Sequence, residues 1–352
     1  MNIKITGSGS YIPKTIMKNE DFDKHDFRSE DGERLPHVND VIISKFKDIT
    51  GIEERRYAEP QHVTSDIAFF AAQEAIENAG IDPETLDYII LAHNFGDLRY
   101  GAIQGDTVPS LATRVKHKLQ IKNPKCVAYD VLFGCPGWIE GVAQANAFIK
   151  SGMAKKCLVI GAETLSRVVD VHDRDAMIYS DGAGATVIEA TDSTEGILAI
   201  ESATYAYDEA GFLYFGNSFN KDLDPDVRYI KMYGRKIYEF ALNHVPLAMK
   251  GCLEKSGIAI DDVKKILIHQ ANEKMDEAII HRFYKLFGQT PPKDIMPMSI
   301  HKLGNSSVAT VPTLYDLLIK GELENQEIHK GDILIFASVG AGMNINAFIY
   351  RY

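Results

Sequence analysis

The chain has 352 residues, 45% of them hydrophobic and 25% charged, an ordinary balance for a globular protein that fits one large domain or two similar halves. A formal net charge of −11 argues against a general binder of nucleic acid or of anionic membranes, leaving room only for a local basic patch. Cysteines 126, 135, 157 and 252 show no CxxC spacing, which points away from a metal site or a disulfide framework. The N-terminal Met1-Asn-Ile-Lys-Ile-Thr-Gly7 is strand-like with no leader pattern, and no run reaches membrane-spanning length, so a reduced, cytoplasmic enzyme is expected.

In chain order, residues 2–12 read as a strand, and the charged stretch 18–40 as a solvated surface excursion, partly helical. Gly51-Ile-Glu-Glu-Arg-Arg56 follows, then a helix from Thr64 to Ala79 with a cap at Thr64 or Ser65 and a stop at Gly80. Tyr88–His93 reads as a strand and Pro109–Leu119 as a helix. Val127–Phe133 is apolar apart from Asp130 and reads as a strand buried on both faces. Trp138–Lys150 then has a helical pattern, Cys157–Ile160 is a strand, and Met177–Ala190 holds Asp181-Gly-Ala-Gly-Ala185 and ends in a strand. The later part repeats this grammar: a long helix over Gly234–Ser256, a strand Lys265–Ile268, helices Lys274–Phe287 and Ser306–Lys320, and a strand Asp332–Ala337. Gly340-Ala-Gly-Met-Asn-Ile-Asn-Ala-Phe-Ile349 echoes Gly182-Ala-Gly-Ala-Thr-Val-Ile188, which predicts α/β architecture from two duplicated halves, 1–190 and 191–352.

Gly134-Cys135-Pro136-Gly137 joins the central strand to its helix. A cysteine there meets unpaired N–H groups and the positive end of a helix dipole, which favour a thiolate; the alternative is a small buried thiol. Ile266-Leu-Ile-His269 places a histidine at a strand end, where open α/β sheets bind ligands, or where a histidine is simply structural. Asn305, in His301-Lys-Leu-Gly-Asn-Ser-Ser307, is either a helix N-cap or a donor. Ser338-Val-Gly-Ala-Gly342 is a glycine turn that either packs or aims an N–H at an oxyanion. Together they are coherent: cysteine as acyl carrier, histidine and the asparagine NH₂ as donors to a thioester enolate, backbone N–H groups for the acyl oxygen. A protease would need a histidine oriented as a base, for which there is no sign.

Over nearly its whole length the chain resembles β-ketoacyl-acyl-carrier-protein synthase III, of the thiolase superfamily. The motifs that carry the resemblance are Gly51-Ile52 with Arg55-Arg56, the Cys135 elbow, Asp181–Ala185, His269-Gln-Ala-Asn272, Gly304-Asn305-Ser306-Ser307 and Gly340-Ala-Gly342. The resemblance implies a five-layered αβαβα fold, a homodimer, Cys135, His269 and Asn305 as the catalytic set, and the backbone of Ala341 as second oxyanion donor beside that of Cys135. It implies decarboxylative Claisen condensation of an acyl thioester with malonyl-acyl carrier protein, without metal or bound cofactor, since phosphopantetheine thioesters of coenzyme A or carrier protein are substrates. No cysteine follows Cys252, unlike a degradative thiolase, and Asn305 stands where elongating ketosynthases carry a second histidine; His301 is taken as structural. A sister enzyme joining two acyl chains and a non-catalytic ketosynthase partner subunit are the rival readings, the second disfavoured by the intact set.

Two departures stand out. Lys45 and Ile49 fall where many members clamp the coenzyme A adenine with tryptophan and arginine, and Val108 falls at the aromatic acyl-pocket gate. A weaker clamp and a smaller gate point to a longer or branched acyl group. Lys274, Arg282 and Lys285 on one helix, with Arg235 and Lys236 on the preceding one, form either a docking surface for an acidic carrier protein or a solvated mixed face.

Overall fold

The computed structural model of the chain describes residues 2–352. Its first half runs β1 (Asn2–Tyr11), β2 (Thr15–Lys18), α1 (Asn39–Thr50), β3 (Glu54–Tyr57), α2 (Thr64–Ala79), β4 (Tyr88–Ala92), α3 (Leu111–Lys118), β5 (Val127–Val131), α4 (Gly137–Lys150), β6 (Lys156–Thr164) and β7 (Asp181–Thr191). The second runs β8 (Gly196–Thr204), β9 (Leu213–Gly216), β10 (Tyr229–Met232), α5 (Gly234–Ser256), β11 (Val263–Ile268), α6 (Glu273–Lys285), α7 (Ile300–Leu303), α8 (Thr310–Ile319), β12 (Ile333–Gly340) and β13 (Asn344–Arg351). One sheet has the order β1-β7-β6-β4-β5, the other β11-β12-β13-β8. In both, a parallel βα core (β4 beside β5 and β6; β11 beside β12) is closed by antiparallel strands.

Helices cover both sheets, giving five layers. Ile67, Ala71 and Ala75 of α2 and Leu111 and Val115 of α3 pack on one face of the first sheet. Its other face meets α4 and α8, which also back the second sheet. Helices α5 and α6 cover the far side through Val245, Met249, Ile279 and Phe283. The middle layer is held by an aromatic stack: Phe336 of β12 lies on Phe348 of β13 with centroids 4.2 Å apart, and Trp138 of α4 stands 6.1 Å from Phe336. Burial of such rings stabilises by about 2–3 kcal/mol each, and Phe336→Ala would leave a cavity costing about 3–5 kcal/mol.

Three expectations are corrected. Strand β5 is an edge strand, with Val127 46% exposed, because only β4 pairs with it. Stretch 18–40 is anchored: Phe22 and Phe27 sit in a core cluster with Ile52, Leu165 and Met177, so its charges clothe two buried aromatics. Asp181–Ala185 is extended strand, whereas Ala341–Met343 forms a turn, so the two glycine motifs differ in conformation. Asp181 holds its segment straight by accepting from Ala58 N at 2.7 Å and Ser166 N at 2.8 Å.

Candidate active site

Cys135 lies between the carboxyl end of β5 and the start of α4, with Pro136 as N-cap at φ −70°. The elbow packs on the turn after β12. A Cβ on Gly340 would lie 2.4 Å from Cys135 N, and one on Gly134 would lie 2.6 Å from Ala341 N. Glycine at both positions is what lets the two backbones lie against each other, and Gly134 has φ +65° besides. The Cys135 and Ala341 N–H groups are thereby brought into one neighbourhood. Asn344 Nδ2 fixes the turn by donating to Ala341 O at 2.8 Å and Phe133 O at 3.3 Å.

The elbow suggested either a thiolate or a small buried thiol, and the side chain is half-buried. Burial pushes its pKa up to about 11, against a hydrogen bond that Ser307 Oγ donates to Cys135 Sγ at 3.3 Å. Desolvation outweighs that hydrogen bond here.

His269 follows β11, its N–H donating to Ala337 O of β12 at 2.9 Å. It is buried, and burial lowers its pKa to about 4, so the ring is neutral at physiological pH. Nδ1 is buried without a partner among the described residues. A neutral ring protonated on Nε2 avoids leaving an N–H unpaired there and keeps a donor for a ligand. The rest of its motif is structural: Gln270 Nε2 donates to Pro297 O at 2.7 Å, and Asn272 caps α6 by accepting from Met275 N at 3.0 Å.

Asn305 does not cap α8, which begins only at Thr310 after a short 3₁₀ turn over Ser307–Ala309. Its backbone is clamped to the first half, with N donating to Ile178 O at 3.0 Å and O accepting from Ser180 N at 2.8 Å. Its Oδ1 accepts from Ser307 N at 2.8 Å, which assigns the amide and leaves the NH₂ as the free end. The carboxyl ends of β5, β11 and β12 therefore converge, and Ser307 ties Asn305 to Cys135.

The family described as 3-oxoacyl-[acyl-carrier-protein] synthase III matches residues 129–206, and its C-terminal part matches residues 253–352. The β-ketoacyl-[acyl-carrier-protein] synthase III of Staphylococcus haemolyticus is 32% identical over 353 residues, covering 100% of this chain and 99% of that one. A synthase III of Halalkalibacterium halodurans is 33% identical over 349 residues, covering 99% and 98%. The crystal structure of the Aquifex aeolicus synthase III superposes with a TM-score of 0.81 at 31% identity, covering 99% and 100%.

The chain belongs to the β-ketoacyl-[acyl-carrier-protein] synthase III family.

Within that family's thiolase-like fold, the remaining expected residues fall as follows. Val108 is 84% exposed on the loop before α3, so no gate forms there within one protomer. Lys45 and Ile49 are exposed on α1, Ile49 by 52%. The basic set is only partly free. Arg282 Nη1 donates to Leu242 O at 3.1 Å and Asn243 Oδ1 at 2.8 Å, Arg235 pairs with Glu239 at 2.9 Å, and Lys236 rests over the Phe212 and Tyr233 rings. Lys274 and Lys285 are exposed and without an ion pair among the described residues. His301 binds Glu273 at 2.8 Å, linking α7 to α6 in a structural role.

Sequence reasoning missed Asn94, Glu163 and Ser307. Asn94 Nδ2 donates to Glu163 Oε1 and, at 3.3 Å, to Ser307 Oγ. Glu163, at the end of β6 and 1% exposed, has its pKa pushed up to about 8 by burial. Asp130, which interrupted the predicted strand, accepts from Leu111 N at 2.7 Å, Ala112 N at 2.8 Å and His93 Nε2 at 3.0 Å, seating α3.

Proposed function

We propose that this chain condenses an acyl thioester with malonyl-acyl carrier protein, releasing CO₂, to give 3-oxoacyl-acyl carrier protein through an acyl group held on Cys135. The support is the convergence of three strand ends at Cys135, His269 and Ala341, with Ser307 joining Asn305 to the thiol. In the first half-reaction the Cys135 sulfur attacks the acyl carbonyl and the phosphopantetheine thiol leaves with the proton. The N–H groups of Cys135 and Ala341 receive the carbonyl oxygen as it gains charge. Malonyl-carrier protein then loses its carboxylate as CO₂, and the electron pair becomes an enolate whose oxygen is held by His269 Nε2–H and the Asn305 NH₂. The enolate carbon attacks the acyl carbonyl, the tetrahedral intermediate collapses, and Cys135 leaves as thiolate. A neutral histidine suits this role, because a donor is wanted and a base is not.

The phosphopantetheine arm arrives with each substrate, so no bound cofactor enters the scheme. We assign carrier-protein docking to Lys274 and Lys285, with Arg282, Arg235 and Lys236 as a partly engaged rim, and the acyl-pocket gate to the Val108 loop once a second protomer covers it. A second copy of the chain is proposed against edge strand β5; Leu132, just after it, and Tyr100, Ile103 and Val108, on the loop before α3, are 68%, 69%, 76% and 84% exposed. We take residues 1–190 and 191–352 as the duplicated halves, one bringing Cys135 and the other His269 and Asn305. Four free cysteines fit a reducing, cytoplasmic setting, and no described helix is long and apolar enough to cross a membrane.

The test is mass spectrometry of the protein after exposure to acyl-coenzyme A and acyl-carrier donors, with CO₂ release as the second readout. Cys135→Ala abolishes acylation, whereas stoichiometric acylation at another residue of that variant would sink the assignment. His269→Ala and Asn305→Ala keep acylation and lose about 10²–10³ in CO₂ release from malonyl-carrier protein by pre-acylated enzyme. Normal CO₂ release in both would reassign them.

A further inference from the structure

Three polar side chains outside the Cys/His/Asn set form a line that ends on the nucleophile. Ser307 Oγ donates to Cys135 Sγ at 3.3 Å, and Asn94 Nδ2 reaches Ser307 Oγ at 3.3 Å. The same Nδ2 donates to Glu163 Oε1, whose residue is 1% exposed at the end of β6. The chemistry of each group sets the direction of the line. An amide carries all its donors on nitrogen, and the Glu163 oxygen facing Asn94 is an acceptor, so Glu163 fixes which end of the amide faces inward. An N–H arriving at Ser307 Oγ occupies a lone pair of that oxygen. Its single proton must then point elsewhere, and Cys135 Sγ is the partner present.

Ser307 serves the site twice, since its backbone N–H also holds Asn305 Oδ1 at 2.8 Å. It does so with φ +53°, a left-handed conformation uncommon for a residue with a Cβ and often found where local strain serves a site.

We infer that Ser307 is a positioning residue that steadies the Cys135 thiolate, and that Asn94 and Glu163 act through it by aiming its hydroxyl at the sulfur. This rests on Cys135 being the acyl carrier. The thiolate forms on the way to the acyl-enzyme and again when the condensed product leaves, so one donor serves both half-reactions. Burial raises the Cys135 pKa and the Ser307 contact lowers it, which is the direction the inference needs.

The experiment is the pH dependence of Cys135 alkylation by iodoacetamide, followed on the full-length protein by intact and peptide mass spectrometry. Ser307→Ala removes one oxygen, keeps the backbone N–H to Asn305, and moves the midpoint up by about one to two pH units, the scale of one hydrogen bond to a charged group. Ser307→Gly, which relieves the left-handed backbone, gives the same upward shift and separates loss of the hydroxyl from strain. Asn94→Ala shifts in the same direction in the wild-type background and adds nothing in the Ser307→Ala background, as required of a residue acting only through Ser307. Glu163→Leu titrates above Glu163→Gln, since both are uncharged and only glutamine can accept from Asn94. A wild-type midpoint in Ser307→Ala and Ser307→Gly overturns the inference, as does an Asn94→Ala shift that persists in full without the hydroxyl. Acyl transfer in the same variants separates the two levels. An acyl group found on Cys135 with an unmoved midpoint overturns only the role of Ser307, whereas no acyl group on Cys135 of the wild type overturns the assignment beneath it.

Discussion

Glu163 is a buried carboxyl near the nucleophile, with 1% exposure and a pKa that burial raises from an ordinary 4.5 to about 8. Between those two values the unfolded chain has released the proton and the folded chain retains it. Folding therefore takes up a proton in that window, and stability falls as pH rises through it. Glu163→Gln removes the titration while keeping an acceptor for Asn94. The variant is expected to gain on the wild type with rising pH, by a few kcal/mol at about pH 9 relative to pH 5. Urea unfolding at the two pH values checks it, and an unchanged difference would mean that Glu163 titrates normally. His269 carries the opposite sign. Its pKa falls from 6.5 to about 4, so the unfolded chain takes up a proton that the folded chain refuses, and stability is lost as pH falls through that window. Cys135, His269 and Asn305 were legible because each sits beside a strand end or a glycine and belongs to a short motif. Asn94 and Glu163 were not. Asn94 lies 213 positions from Ser307 and 69 from Glu163, and single polar residues at strand ends give no signal until the sheet brings them together.

At the scale of elements, strand and helix positions followed from periodicity, and the misreadings have local causes. Asn305 has the composition of an N-cap, yet its Oδ1 turns to Ser307 N two residues on, an Asx turn that delays α8 to Thr310. Asn272 is the true cap, of α6, accepting from Met275 N. Asn272→Ala should destabilise the protein by about 1 kcal/mol, leaving acylation of Cys135 by coenzyme A thioesters nearly unaffected, because α6 is assigned to carrier-protein docking. Thermal unfolding beside an acylation rate tests this. A large loss of acylation with unchanged stability would place Asn272 in the first half-reaction. The 18–40 stretch misled because two apolar anchors, Phe22 and Phe27, are hidden among charges with no regular period. Strands β2 and β3 form a two-stranded ribbon of four residues each, too short for an alternation to stand out. Edge position is a property of the sheet, which is why β5 read as buried on both faces.

The whole molecule decides which acyl donor can reach Cys135. A carrier protein is acidic and must approach a chain of net charge −11, so general attraction works against the encounter and local cations must guide it. Lys274 and Lys285 are the exposed cations of α6 with neither an ion pair nor a side-chain hydrogen bond among the described residues, and α6 follows directly on the His269 motif. Coenzyme A would instead need a hold on its adenine. Lys45 and Ile49, where the resemblance puts the adenine clamp, offer no aromatic face, and a clamp built on them would lack a stacking contact worth about 0.5–2 kcal/mol. Acetyl-coenzyme A is therefore expected to prime poorly, and medium-chain or branched acyl groups on carrier protein to prime well. Lys274→Glu should slow transfer from carrier protein several-fold and flatten its salt dependence, leaving transfer from coenzyme A thioesters nearly unchanged. The measurement is the specificity constant of Cys135 acylation by acetyl-coenzyme A and by octanoyl-carrier protein, for wild type and Lys274→Glu across ionic strength. If acetyl-coenzyme A wins clearly, the adenine is held by residues other than Lys45 and Ile49. If Lys274→Glu slows both donors alike, α6 is not the carrier's landing surface.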